Sequence, residues 1–216
     1  MPRAFGPRND KAMIIVDYKK KYHKKIIHSA VFALKQGKIV AYPTDTSYGL
    51  AADAENMDAV MKLYRIKGRQ FIKAVHIVVP SIGYGKKIVQ WNKTASALVS
   101  KFFPGAITLV LPLKSKNQGY KLLSAGNSTI GLRMPANEIA LDLAKFLKRP
   151  ITATSANVSG KPDCYSVSDI THQFKNKRFK PDIVINAGRL IKRKPSTVVK
   201  IDGDRLVILR QGPVKI

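Results

Sequence analysis

The sequence predicts a single α/β domain, on two observations. Apolar runs of strand length at residues 75–79, 107–113 and 151–154 alternate with stretches such as 22–35 and 138–147, whose apolar residues recur with a helical period. A chain of 216 residues with 45% hydrophobic content supports one substantial core and is short for two. Residues 1–12 carry Pro2, Gly6 and Pro7 without an apolar period and are expected to form a flexible arm, which leaves 13–216 as the domain.

Along residues 22–35, Ile26, Ile27, Ala30, Val31 and Leu34 share one helical face, and Gly37 stands where a C-terminal cap belongs. Residues 38–42 form a short strand that ends at Pro43, which has no amide to donate. Thr44, Asp45, Thr46, Ser47 and Tyr48 follow as a loop dense in hydrogen-bonding groups, in which Asp45 either caps the next helix or supports a ligand contact. Residues 53–66 are helical, with Met57, Val60, Met61 and Tyr64 on the buried side. Lys67 and Arg69 then occupy a loop before the strand 75–79, placed to project toward a ligand. His76, inside that apolar strand and without a partner in sequence, reads as structural.

Residues 84–91 fit no class, 94–103 form a helix closed by Pro104 and Gly105, 107–113 form a central strand, and 114–127 read as a loop or a β excursion. The strand 129–133 ends at Arg133. An arginine in apolar surroundings needs an internal carboxylate or an anionic ligand, and the shortage of nearby acidic residues favours the ligand. A helix over 138–147 is amphipathic through Ile139, Leu143, Phe146 and Leu147. The strand 151–154 then runs into Ser155, Ala156 and Asn157, small and polar residues at the point where an open α/β sheet meets its ligand. A helix at 168–174, a strand at 183–185, a basic loop at 189–195 and strands at 196–201 and 206–210 complete the chain.

The formal net charge is +26, and no acidic residue occurs between Asp58 and Glu138. That balance favours polyanionic neighbours such as nucleic acid or nucleotide phosphates. The one cysteine, Cys164, cannot form an internal disulfide and reads as a free, inert thiol. No apolar run reaches bilayer-spanning length and the first residues lack the apolar core of a secretion signal, so the chain is expected in the cytoplasm and not in a membrane. The four histidines lack metal-ligand spacing, and neither GxSxG, a Walker A loop nor GxGxxG is present. What these patterns leave is a site rich in hydroxyls, Lys and Arg, suited to an anionic substrate and to phosphoryl or nucleotidyl transfer by positioning and charge stabilisation.

Four segments, YPTDTSYGL at 42–50, KGR at 67–69, TATSANVSG at 152–160 and STVVKI at 196–201 with a terminal LRQG, occur together in this order. In them the chain resembles the YrdC-like threonylcarbamoyl-AMP synthases, over residues 35–212. The resemblance implies a twisted mixed sheet flanked by helices, with a concave basic surface. It also implies condensation of L-threonine, bicarbonate or CO2, and ATP into threonylcarbamoyl-AMP and pyrophosphate, the first step toward threonylcarbamoyladenosine in tRNA. By the same resemblance Thr46, Arg133, Ala153 and Ser196 contact threonine. Arg69, Lys73, Thr129, Ser155 and Arg210 hold ATP, joined by Lys67 and Asn157, with Lys67, Arg69 and Arg133 as the catalytic cations. Mg2+ arrives with ATP, no metal is held by the protein alone, and the product passes to a downstream threonylcarbamoyl-transferase complex. Holding carbamate and triphosphate together opposes a repulsion of about 1 to 4 kcal/mol, which explains the convergence of cations.

Three positions depart from the family pattern: Gln70 replaces a usual proline, Ala74 stands where a small residue or proline is frequent, and Asn186 stands where an acidic or small residue is common. The loop carrying Lys73 is therefore expected to be softer. Longer relatives carry a second C-terminal domain, so the chain is expected to be the short form without the lid such a domain provides. Two other readings stand beside this one. The basic composition also suits a noncatalytic RNA-binding or ribosome-associated factor, and a related carbamoyl-transferring domain would use carbamoyl phosphate.

Overall fold

A computed structural model describes residues 12–68, 70, 71 and 73–216. In chain order the strands are β1 (Ile14–Asp17), β2 (Val40–Tyr42), β3 (Gly49–Ala51), β4 (His76–Val78), β5 (Ile107–Pro112), β6 (Thr129–Arg133), β7 (Ile151–Ser155), β8 (Ile183–Asn186), β9 (Thr197–Asp202) and β10 (Arg205–Arg210). The helices are α1 (His23–Lys35), α2 (Met57–Lys67), α3 (Ile82–Ile88), α4 (Lys93–Phe102), α5 (Gln118–Leu123), α6 (Glu138–Leu147) and α7 (Val167–Phe174). No helix among the described residues is long and apolar enough to cross a membrane.

The strands form one mixed sheet in the order β1-β8-β2-β3-β7-β4-β6-β5-β9-β10. Pairs β1/β8, β2/β8, β4/β6 and β5/β9 are parallel and the others antiparallel. Alternate residues of a strand point to opposite faces, and in the central strands β2, β3, β4 and β8 both faces carry core. Ala41, Leu50, Ile77 and Val184 belong to the larger core with α2, while their neighbours Val40, Ala51, Val78 and Ile185 belong to a second core under α1 and α6. Burial on both sides is why the strands read as continuous apolar runs rather than alternating ones.

Local sequence sets the helix limits. Asn56, Ser81, Asn92, Asn117, Asn137 and Ser166 each accept a backbone N–H at the start of α2 to α7, the usual task of short polar side chains at that position. Gly68 closes α2 in the left-handed region, at φ 56°.

Four sequence expectations are corrected. The segment 114–127 contains α5, because Asn117 caps it twice and Tyr120 and Leu123 bury their side chains beneath it. Gly119 permits this docking, since a Cβ there would fall 2.2 Å from the Ala54 carbonyl oxygen. The unclassified stretch 84–91 holds most of α3. In α2 the buried face is Ala59, Val60, Leu63, Tyr64 and Ile66, whereas Met57 is 46% exposed in the first turn. Residues 49–51, which the sequence reading left without an element after the polar loop, form the strand β3, paired on one side with β2 and on the other with β7. The strand β1 was not expected at all, and its exposed Ile14 and Ile15 explain why no buried pattern marks it. The proposed N-terminal arm lies outside the described residues except for Ala12.

Helices α1 and α6 pack on one another over the second core, with Leu143 fully buried between them. Truncating it to Ala is expected to lower the unfolding free energy by roughly 2 to 5 kcal/mol. Urea titration of Leu143→Ala against the unaltered chain checks this; a change below about 1 kcal/mol would show that the two helices close the gap.

Candidate active site

On the face that carries Val78 and Tyr42, the cover supplied by α1 and α6 stops short, and a cleft of about 380 Å3 opens across the strands. Its floor is Val78, His76, Ala153 and Ser155, with register partners Val78–Arg133 and His76–Ala153 placing β4, β6 and β7 side by side. The site therefore spans a sheet face, and not only the strand end at Ser155 that the sequence suggested. Gly131 makes this possible: a Cβ there would lie 2.5 Å from His76 Cδ2, so only glycine leaves the imidazole its place in the wall.

One rim is the β2–β3 loop, Thr44 to Tyr48. Thr44 Oγ1 accepts the amides of Thr46 (3.1 Å) and Ser47 (3.3 Å) and donates to the Ser47 carbonyl (2.7 Å), folding the loop on itself. The Tyr48 hydroxyl donates to Gly188 O (2.8 Å) and accepts from Ala187 N (3.0 Å), and burial raises its pKa. The departure Asn186 serves the same turn, donating to Asp17 Oδ1 (2.7 Å) and accepting from Gly188 N (3.0 Å).

Arg133 does meet an internal carboxylate, contrary to the expectation from its acid-poor neighbourhood. Its Nη2 pairs with Asp45 Oδ1 and lies 3.4 Å from Thr46 Oγ1. Asp45 caps no helix; its other oxygen accepts the Ala136 amide at 3.2 Å. The carboxylate comes from 88 residues earlier in the chain, a distance no local charge count covers. Arg133 is only 9% exposed, and its Nε is buried with no hydrogen-bond acceptor among the described residues. A buried guanidinium with donors to spare is equipped for an incoming anion.

The opposite rim comes from β9 and β10. Ser196 Oγ lies 3.1 Å from Thr108 Oγ1 and accepts from Arg210 Nη2 at 3.1 Å, while Arg210 Nε donates to Ser196 O at 3.0 Å. Burial and then the like charge of Arg133 lower the Arg210 pKa. Two guanidinium groups therefore look into one cleft.

Lys67 was expected on a loop reaching for phosphates. It is instead the last residue of α2, 2% exposed, and its ammonium donates to Ser155 O (2.6 Å), Asn157 O (3.0 Å) and Asn157 Oδ1 (2.9 Å). Asn157 Oδ1 also accepts from Ser155 Oγ at 2.7 Å, and Asn157 Nδ2 donates to Lys161 O at 2.5 Å. Lysine and asparagine thus knot the loop that carries Ser155 into the cleft.

Of the expected site residues, Thr46, Arg133, Ala153, Ser155, Ser196 and Arg210 come together in the cleft lining. Lys67 and Asn157 lie behind it. Lys73 is exposed, held through its carbonyl by the Tyr64 hydroxyl at 3.0 Å. Thr129 opens β6 four residues before Arg133, about 13 Å away along an extended strand. Arg69 lies outside the described residues. Sequence reading missed Thr108, hidden in an apolar strand, and gave His76 no place at the site. It also missed Asp163, whose only signal is a Pro-Asp step after Gly160.

Cys164 is free and buried, its thiol pushed up to about 12 by burial, then by Asp169 and Asp163. Away from the cleft, His23, Glu138 and Asp142 hold ligand atoms within 4.8 Å of one another, but both His23 nitrogens are engaged, by Tyr18 and Asp142 at 2.9 Å each.

A cleft walled by two arginines, one carboxylate and several hydroxyls on a mixed α/β sheet defines a protein built around a charged polar ligand. A sequence profile for the Sua5, YciO and YrdC proteins, described as telomere recombination, matches residues 32–212. A Methanocaldococcus jannaschii protein provisionally named threonylcarbamoyl-AMP synthase is 34% identical over 96% of this chain and 95% of its own. The threonylcarbamoyl-AMP synthase of Pyrococcus abyssi is 34% identical over 92% of this chain, which spans 57% of that relative's length. The crystal structure of P. abyssi Sua5 complexed with L-threonine superposes with a TM-score of 0.83 at 34% identity, covering 94% of this chain and 58% of that one. The chain belongs to the Sua5/YciO/YrdC family.

Two outcomes follow from the buried groups. Lys67→Met removes a cation and leaves three oxygens without their donor, so it is expected to cost roughly 3 kcal/mol in urea unfolding and to speed amide exchange through residues 155–160. Cys164 should resist Ellman's reagent at pH 8 in the folded chain and react at once in urea. Its folded pKa lies above the unfolded value, so its contribution to stability is whole below the unfolded pKa and is lost as pH climbs toward 12.

Proposed function

We propose that this chain is a threonylcarbamoyl-AMP synthase, forming threonylcarbamoyl-AMP and pyrophosphate from L-threonine, bicarbonate or CO2, and ATP for tRNA modification in the cytoplasm. The observation that carries the reading is Arg133, a buried guanidinium with an unfilled Nε at the centre of a hydroxyl-lined cleft. It rests also on the family and on a relative whose structure holds L-threonine.

In this reading Arg133 takes the amino-acid carboxylate, with Thr46, Ala153 and Ser196 around it. Ser155 and Arg210 face the nucleotide, and Arg69 and Lys73 are assigned to it by family resemblance alone. The neutral amine of threonine adds to CO2 and releases a proton to solvent, giving a carbamate. A carbamate oxygen then bonds to the α-phosphorus as the bond to the β-phosphate oxygen breaks and pyrophosphate departs. Arg133 and Arg210 offset the anions brought together, as charges already held in place by Asp45 and Ser196. Lys67 and Asn157 act from behind by fixing the Ser155 loop. Mg2+ enters as part of the nucleotide substrate. The hydroxyl oxygens of the cleft, such as those of Thr46 and Ser155, are of the hard type that it would accept beside the phosphate oxygens.

Contact with tRNA is compatible with the same chain, because Arg189, Lys192, Arg193 and Lys194 are exposed on the loop that leads to Ser196. Such binding should weaken steeply with salt.

Pyrophosphate release in the presence of ATP, bicarbonate and threonine tests the enzyme. Release should require threonine, and carbamoyl phosphate should not replace threonine with bicarbonate. Arg133→Ala is expected to reduce kcat/KM for threonine at least a hundredfold, the range for a lost charged hydrogen-bonded pair; unaltered threonine kinetics would remove Arg133 from the site.

A further inference from the structure

The charged side chains that line the cleft among the described residues are Arg133, Arg210 and Asp163, with His76 also titratable. Both arginines have protein partners, Asp45 and Thr46 for the first and Ser196 for the second. Asp163 has none: no protein group among the described residues donates a hydrogen bond to its carboxylate. Its place is fixed all the same. The Tyr48 amide donates to Cys164 O at 2.9 Å, which holds the loop between β7 and α7 against the rim that carries Thr46 and Ser47. On the other side the Leu190 amide donates to Tyr165 O at 2.7 Å, bracing the loop against the segment leading to Pro195 and Ser196. The charge of Asp163 is felt at Arg210, where it opposes the lowering caused by burial and Arg133.

A carboxylate in this place is unfavourable for a ligand that is anionic throughout. Beside a nucleotide phosphate it adds repulsion of about 1 to 4 kcal/mol at contact distance. The cleft is thus complementary to a ligand with one positive group among negative ones. A free amino acid is such a ligand, with a carboxylate for a guanidinium and an ammonium for a carboxylate.

We propose that Asp163 is a specificity-determining residue that receives the α-ammonium of the amino-acid substrate, while Arg133 takes its carboxylate. This rests on the function proposed above and adds a residue outside the segments by which the chain resembles its family. The assignment holds on both sides of CO2 uptake: the ammonium donates to Asp163 first, gives one proton to solvent to become the attacking amine and a second as the N–C bond forms, and the carbamate nitrogen keeps one N–H to donate afterwards. An amino acid whose nitrogen is already acylated lacks the charge and should gain little from Asp163.

Isothermal titration of the full chain with L-threonine, N-acetyl-L-threonine and, separately, a nonhydrolysable ATP analogue with Mg2+ tests this without any turnover. Asp163→Asn should raise the Kd for threonine roughly tenfold, the scale of a lost hydrogen bond between charges. It should leave the Mg2+–nucleotide Kd within about twofold and shrink the preference for threonine over its N-acetyl form. Asp163→Glu, which retains the charge, should recover part of the loss, and thermal unfolding should show both variants folded. Undiminished threonine binding by Asp163→Asn would overturn the assignment. So would a loss confined to the Mg2+–nucleotide, which would make the carboxylate a metal partner instead. If the unaltered chain fails to bind threonine, the proposed function falls, a result distinct from unaltered binding with an indifferent variant.

Discussion

The site depends on a buried ammonium. Lys67 is carried to the end of α2, away from water, where a charge is tolerable only if every proton finds an acceptor. The acceptors available are two carbonyls and an amide oxygen of the Ser155 to Asn157 turn. To satisfy Lys67 the turn must curl toward α2, and this sets where Ser155 enters the cleft. The segment is small and polar for that reason: Ala156 is fully buried beneath it, and Asn157 spends both ends of its amide on the knot.

A second buried charge acts in a different way. Arg133 links β6 to the β2–β3 loop through Asp45, so it is fixed before any ligand arrives. Asp45 engages one guanidinium nitrogen and leaves Nε without an acceptor. Orientation is thereby supplied by the protein while part of the donor set is held back. Preorganisation of this kind lowers the entropy lost when an anion binds. Arg210, held through two bonds to Ser196, is arranged on the same principle.

The sequence made the frame legible and the wiring illegible, for physical reasons. Strands buried on both faces advertise themselves as apolar runs, so β4 to β7 were evident, and α1 and α6 showed their helical period because each has one wet face. β3 was hidden because three residues between a polar loop and a turn leave no period to read, and α5 because its polar surroundings resembled a loop. Six of the expected site residues converge, since short polar runs interrupting apolar strands mark places where something other than core is wanted. Arg133 was read as a cation in need of an answering group and Lys67 only as a loop residue, and the partners of both lie about 90 residues away. Burial of a charge can be suspected from sequence; the identity of the group that answers it depends on the sheet order.

The incomplete cover of the sheet has a further consequence. On that face α1 and α6 cover Val40, Ala51, Val78, Ile151 and Ile185, and their cover ends beside His76 and Arg133, which line the cleft. A ligand seated there takes the part of the missing layer, and its binding energy joins the energy of folding, since it binds the folded chain and not the unfolded one. Any ligand that binds only the folded chain would therefore add to the stability of this half of the sheet.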